Sequence, residues 1–374
     1  MSLFVKGLLT ALLLPTVAFA VDSSSSNQES SKLEYWLANE VNDADIAARF
    51  QDVVSSSPVK ISNTGVTVTR IALIYPSADL SDFWVRNYKA LTKRLDAIGV
   101  DYTIDEFSSR QIEHALQTRY IDQVLANPEQ YDYVIYGPSE LYVQADNIQR
   151  LAQSDQFKSY IWAFHTPMKR WQYQPDAWFD FSSSVGAKAL CKFIVQRLGN
   201  EVFFAMNRGI PGITDEQRSG DFKSCVKEKG DWENLYEHFG QYQAGGGRDG
   251  AILITQSFPE VSMLHNANTA MTLGALEYLE EASLTDQLYV TGWGGTAAEI
   301  EQIKQGNLNA TLMRMGDDVG VATAEAIKFS LEGRRSEIPK IYLGRIEVVD
   351  DQMSIEEIDE RTREAFRYSG VDSD

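Results

Sequence analysis

The sequence predicts an α/β protein with two lobes, each a parallel sheet wrapped by helices. Three observations carry that expectation. Runs rich in β-branched and aromatic residues alternate with segments of helical length, which is the pattern of repeated βαβ units. The chain has 374 residues, too many for one ordinary core and about right for two. The chemically suggestive side chains follow the strands directly, where open parallel sheets hold ligands.

The first 20 residues, MSLFVKGLLTALLLPTVAFA, read as a secretory signal. Lys6 precedes a short apolar stretch, and Ala18-Phe19-Ala20 supplies the cleavage pattern. No Cys stands at the cut to take a lipid, and no later stretch is apolar for long enough to span a bilayer. The expected mature protein is therefore exported to the periplasm. Residues 21–61 hold a polar linker (VDSSSSNQESSK) and then apolar positions at helical spacing, Leu37, Val41, Ile46, Phe50 and Val53, that predict docking helices.

The alternation begins at VTVTRIALIYP (66–76), a strand. A helix over 81–99 follows, capped by Ser81 or Asp82 and ended by Gly99. Strands are expected at VDYTIDEF, YDYVIYG and SYIWAF, with helices between them. A second series runs through WFDFS, EVFFAMN, LYEHFGQY, EVSMLHN, QLYVTGW, NATLMRM and KIYLGRIEVV, again with helices between. GGGRDG (245–250) lacks the dinucleotide-binding pattern and reads as a loop.

The formal net charge of −19 disfavours nucleic acid and anionic lipid as partners. The two cysteines, Cys191 and Cys225, are either one disulfide or two buried thiols in an oxidising compartment. The sequence has no HExxH, CxxC, P-loop or G-x-S-x-G motif, and no two of its four histidines are spaced i, i+4. It therefore supplies no catalytic constellation, no metal site and no cofactor site, and no enzymatic activity is expected.

At the strand ends stand Asp79, Ser81, Trp84, His165, Arg218, Thr269, Trp293 and Arg314. Aromatic faces stack on the C–H faces of sugar-like rings. Ser and Thr exchange hydrogen bonds with hydroxyls, and guanidinium forks bind pairs of oxygens. Together they suit a small, oxygen-rich ligand. Each has a structural alternative: Trp84 in the core, Arg314 paired with Asp317 or Asp318, and Arg218 paired with Asp215, Glu216 or Asp221.

LSDFWVRN (80–87), the long run TGWGGTAAEIEQIKQGNLNATLMRMGDDVGVATAEAIKF (291–329) and REAFRYS (363–369) resemble the sugar-type periplasmic binding proteins, most closely their LuxP-like autoinducer-2 receptors. The resemblance implies a type I two-lobed fold, two doubly wound sheets joined by three crossovers. Lobe one is expected over 62–168 plus 294–334, lobe two over 169–293 plus 335–350, and a tail over 351–374. Ser81, Trp84, Arg218, Thr269, Trp293 and Arg314 match pocket positions of that family. Asp79 stands where the family has Gln, and Ala270 where it has Asp. His165 lies beside a slipped Asn position. The resemblance implies a receptor that closes on a sugar-like quorum-sensing signal and acts on the periplasmic domain of a LuxQ-type sensor kinase. The alternative is the binding component of an ABC importer.

Overall fold

The computed structural model describes residues 35–62, 65, 68–76, 83–110, 113–139, 141–163 and 167–370. The expected signal segment, the polar linker, Asp79, Ser81 and His165 lie outside the described residues.

The N-terminal extension forms a helical turn and then helix α1 (Ala44–Ser55), whose cap Asp43 accepts from the backbone N–H of Asp45 and Ile46. The first sheet is built from β1 (Thr69–Pro76), β2 (Tyr102–Ser109), β3 (Tyr133–Tyr136), β4 (Lys158–Ala163), β5 (Ala177–Asp180) and β11 (Ile341–Leu343). The second holds β6 (Glu201–Arg208), β7 (Asp231–Phe239), β8 (Met263–Asn266), β9 (Tyr289–Gly294), β10 (Ala310–Arg314) and β12 (Ile346–Asp350). Spatial orders are β11-β5-β4-β3-β1-β2 and β12-β10-β9-β8-β6-β7. All pairings are parallel except β10 with β12, so the second sheet carries one antiparallel edge strand.

Helices cover both faces of each sheet. Over sheet one, α2 (Phe83–Ile98) and α10 (Asp318–Leu331) bury one face, while α3 (His114–Ala126) and α4 (Leu141–Gln153) bury the other. Over sheet two, α5 (Ser183–Leu198) and α6 (Asp221–Lys229) take one side. The helices α7 (Ala244–Ser257), α8 (Thr269–Glu281), α9 (Ala297–Gln305) and the tail helix α11 (Ile355–Ala365) take the other. Two-sided burial is why β1 is an almost unbroken apolar run rather than an alternating one.

The lobe boundaries differ from those expected. Residues 177–180 were assigned to lobe two, but β5 pairs with β4 and β11 in sheet one. Residues 294–314 were assigned to lobe one, but β9 and β10 extend sheet two, with Leu312 opposite Trp293. The segment KIYLGRIEVV is two strands, one in each sheet, separated at Gly344. The chain thus passes between sheets three times, after β5, after β10 and between β11 and β12. Strand pairing decides these boundaries, and pairing is non-local. The expected loop at 245–250 lies inside α7. Its glycines let α7 approach α8 closely: a Cβ on Gly247 would sit 2.1 Å from the carbonyl oxygen of Met271. Close packing outweighs glycine's poor helix propensity here.

Helix α10 is buried almost all round, because α1 covers the face that sheet one does not. Phe50 of α1 meets Phe329 and Tyr342 edge-on at 5.6 and 5.8 Å. A buried ion pair ties the layers: Arg94 of α2 meets Glu325 of α10 at 2.6 Å. Arg94 also donates to the carbonyls of Ser56 and Val53 and to the Tyr368 hydroxyl. Both ends of the chain are thereby fastened to lobe one.

Candidate ligand cleft between the lobes

The stretch 291–295 (TGWGG) closes β9. Gly295 has φ +62°, and a Cβ there would lie 2.2 Å from the Cα of Met313, so only glycine fits. Glu299, fully buried in the first turn of α9, accepts from the backbone N–H of Trp293 (3.1 Å) and Gly295 (2.8 Å) and from the Thr311 hydroxyl (2.9 Å). This carboxylate fixes the turn and aims Trp293. The indole packs on Gly186 and Leu312, with His265 edge-on at 6.2 Å. His265 stacks on Phe222 at 4.6 Å, and burial pushes its imidazole down to about 3.

Arg218 extends from a π-helical turn (Glu216–Gly220) after β6. Its guanidinium lies 5.5 Å from the Trp293 ring and 5.8 Å from that of Tyr242, within cation–π range, and donates to the carbonyl of Ala267 at 3.1 Å. Two of the three carboxylates offered as its structural partners are engaged by another arginine: Arg208 meets Asp215 at 2.6 Å and Glu216 at 2.5 Å. Arg314 shows the same pattern. Asp318 is held by Arg345, Asp317 accepts from the N–H of Tyr368 and Ser369, and the Arg314 guanidinium lies over Phe83 at 5.1 Å and Phe181 at 6.0 Å. Phe83 and Phe181 belong to the core of lobe one, so Arg314 reaches across from sheet two.

Thr269, at the start of α8, donates to the Trp293 carbonyl at 3.4 Å. Arg218, Thr269, Trp293 and Arg314 are therefore gathered at the strand ends of lobe two. Trp84 sits in lobe one, its ring against the backbone of Gly137 and edge-on to Phe83 at 5.0 Å. Expected as stacking plates, Trp84 and Trp293 are each 3% exposed, and each ring is backed by a glycine. The crevice beside Phe83, Thr296 and Arg314 has only ≈ 20 Å³ of free volume. Asn268 caps α8 by accepting from Met271 N–H, and Asn266 is held by Asn207. Cys191 of α5 and Cys225 of α6 are joined in a disulfide with Cα atoms 6.1 Å apart, which resolves the alternative left open by the sequence.

Two side chains escaped the sequence reading. Asp180 ends β5, is 1% exposed, and neither of its carboxylate oxygens meets a hydrogen-bond partner among the described residues. Burial raises its pKa to about 8, against the pull of the Arg218 and Arg314 charges. Tyr242 follows β7 with its hydroxyl sealed and likewise unpartnered. A strand-final Asp in WFDFS is a readable signal once β5 is assigned to the sheet beside the cleft. Tyr242 carries no such signal. Among the described residues no group of three or more His, Cys, Asp or Glu could hold a metal ion, and no helix is long and apolar enough to cross a membrane.

Two closed α/β lobes with polar and cationic groups at facing strand ends define a solute-binding protein of the hinge-closing class. The chain belongs to the periplasmic binding protein family: the sequence profile of its periplasmic binding protein domain matches residues 71–335. It is similar to the ribose import binding protein RbsB of Bacillus subtilis (strain 168), 23% identical over 151 residues, a match spanning 40% of this chain and 48% of that relative. The fold is that of an Agrobacterium vitis ABC transporter solute-binding protein bound with α-D-tagatopyranose (TM-score 0.65, 17% identity, covering 76% of this chain and 95% of that one). It is also that of an Actinobacillus succinogenes 130z protein with bound D-allose (TM-score 0.66, 18% identity, 76% and 98%). A Bacillus halodurans C-125 protein with bound myo-inositol is similar too (TM-score 0.65, 18% identity, 82% and 98%). The family is one of exported binding proteins and not of enzymes.

Proposed function

We propose that this protein binds a sugar-like solute between its lobes and delivers it to the permease of an ABC importer. The observation that carries the reading is the convergence of Arg218 and Arg314 on the interlobe strand ends, each set against aromatic rings. A guanidinium held against ring faces can fork onto vicinal hydroxyl oxygens. The likeness to a ribose import binding protein and to solute-binding proteins holding tagatose, allose and inositol supports the same ligand class. Ser81, Asp79 and His165 complete the proposed binding set at the ends of β1 and β4.

A second reading is a LuxP-like receptor that binds autoinducer-2 and signals to a LuxQ-type sensor kinase. What favours it is the extension α1, which lies outside the matched span and adds a surface to lobe one. Cleavage of a signal peptide near Ala20 is part of both readings.

The test is mass spectrometry of small molecules released by denaturing the natively purified protein. A pentose, hexose or cyclitol supports the importer reading, and autoinducer-2 supports the receptor. Recovery of a peptide, an amino acid or a nucleotide as the stoichiometric ligand overturns both.

A further inference from the structure

Arg218 reaches the cleft from an unusual piece of backbone. It stands in the middle of the π-helical turn Glu216–Gly220, which runs straight into α6. A π turn holds more residues than an α turn, and such turns are rare and concentrate at functional sites. An α-helix advances about 100° per residue, so an inserted residue re-aims the side chains beside it by an angle of that order. Here Arg218 faces the Trp293 ring at 5.5 Å and donates to the Ala267 carbonyl (3.1 Å) and the Ser183 hydroxyl (3.4 Å).

The turn is held from behind by Asp215, the residue that precedes it, which is fully buried. One carboxylate oxygen accepts from the backbone N–H of Gly209 (2.8 Å), just past β6, and from the Ser219 hydroxyl (3.2 Å) inside the turn. The other accepts from Arg208 Nε at 2.9 Å. One side chain thus ties the end of β6 to the residue next to Arg218. Arg208 spreads the hold, meeting Glu216 at 2.5 Å where the turn starts and Glu237 of β7 at 2.7 Å. Glu237 also pairs with Lys223 of α6, so the far side of the turn is fastened to the same network. Burying a carboxylate is costly, and a plain connection from β6 to α6 needs neither that charge nor the extra residue.

We infer that Asp215 is a positioning residue of the binding site: with Arg208 and Ser219 it locks the π turn and so fixes the direction of the Arg218 guanidinium, while making no contact with the solute itself. This rests on the solute-binding reading above and adds to it what sets the grip of Arg218. The loss caused by removing Asp215 is then transmitted through Arg218. Substitutions at residues that act through one another are non-additive, whereas independent ones add.

The experiment uses the full exported chain, freed of bound solute by unfolding and refolding with the disulfide intact. Wild type, Asp215→Asn, Arg218→Met and the double variant are titrated calorimetrically with D-ribose, D-allose, D-tagatose and myo-inositol. Asn keeps the shape of Asp215 and removes its charge; Met keeps much of the reach of Arg218 and removes its donors. Each single substitution should weaken the tightest-bound member about tenfold or more, and the double variant should bind within about twofold of Arg218→Met. Ser219→Ala, which removes only the hydroxyl tie to Asp215, should weaken binding about threefold in wild type and leave Arg218→Met unchanged. Where Asp215→Asn does not fold, the Ser219→Ala pair decides. A loss that appears in full in the Arg218→Met background is what a general effect on the fold gives, and it overturns the inference. Affinity within twofold of wild type in the deciding variant, or in Arg218→Met, also overturns it. In each of these cases the solute-binding reading stands. If wild type binds no member of the panel, both fail.

Discussion

Arg314 bridges the lobes, its guanidinium from sheet two lying over Phe83 and Phe181 of lobe one. Truncating it removes a charge-assisted fork from the cleft, while Asp317 and Asp318 keep their contacts with the backbone N–H of Tyr368 and with Arg345. Arg314→Ala should therefore weaken solute binding tenfold or more, about 1.4 kcal/mol or greater, with unchanged circular dichroism. Calorimetric affinity within twofold of wild type would remove Arg314 from the site. His265 gives a prediction of opposite kind. Burial holds its folded-state value at about 3, below the ordinary 6.5, so the unfolded chain takes up a proton before the folded one does. The stability it contributes is fully present above pH 6.5 and is lost as pH falls towards 3. Urea unfolding midpoints measured from pH 7 to pH 4 should fall in wild type and fall less steeply in His265→Gln. Equal slopes would contradict the assignment.

Helix packing carries the next level. The disulfide between α5 and α6 closes a loop of 34 residues of sequence separation on the side of sheet two that backs Trp293. On the chain-entropy account a crosslink of that span contributes about 3–4 kcal/mol by restricting the unfolded state. The native protein should show no titratable thiol in denaturant, and reduction should lower the melting temperature by several degrees in scanning calorimetry. Two reactive thiols, or no change on reduction, would count against the bond. The helices also explain why part of the site was hidden in the sequence. Trp293 and Arg314 could be read because they stand at the ends of recognisable strands, and Trp84, Arg218 and Thr269 because they lie in the segments that follow such strands. Asp180 could not, since β5 is four residues long and its sheet membership depends on β4 and β11. Tyr242 could not, because its meaning lies in a left-handed turn and in a glycine 33 residues earlier. Asp79, Ser81 and His165 lie outside the described residues and stay proposals.

Closure is the property of the whole molecule. In the closed arrangement Asp180 is buried with its carboxyl raised to about 8, whereas a solvated carboxyl in an open cleft ionises near the ordinary 3.8. Closing the empty protein between those values therefore takes up a proton. Raising the pH through this window favours the open form, and lowering it favours the closed one. Small-angle scattering of the ligand-free protein should give a larger radius of gyration at pH 8.5 than at pH 5. Asp180→Asn should reduce the difference, and saturating solute should abolish it. A radius independent of pH in wild type would sink the linkage.

The sequence by itself determined the class of fold, through the alternation of β-branched runs with helical segments, and it determined the chemistry available at the strand ends. Those signals are local: periodicity, capping residues such as Thr296 and Ser354, and the glycines of TGWGG are set by neighbours a few residues away. It did not determine which strands share a sheet. That choice moved β5 to one lobe and β10 to the other, and divided KIYLGRIEVV between them. Only the tertiary structure decided that Arg208 takes Asp215 and Glu216, or that Asp180 is buried at the end of β5 within the electrostatic reach of Arg218 and Arg314. The physical reason is that strand pairing and ion pairing depend on distance in space, and a hinge that closes brings together residues whose separation along the chain carries no information about their contact.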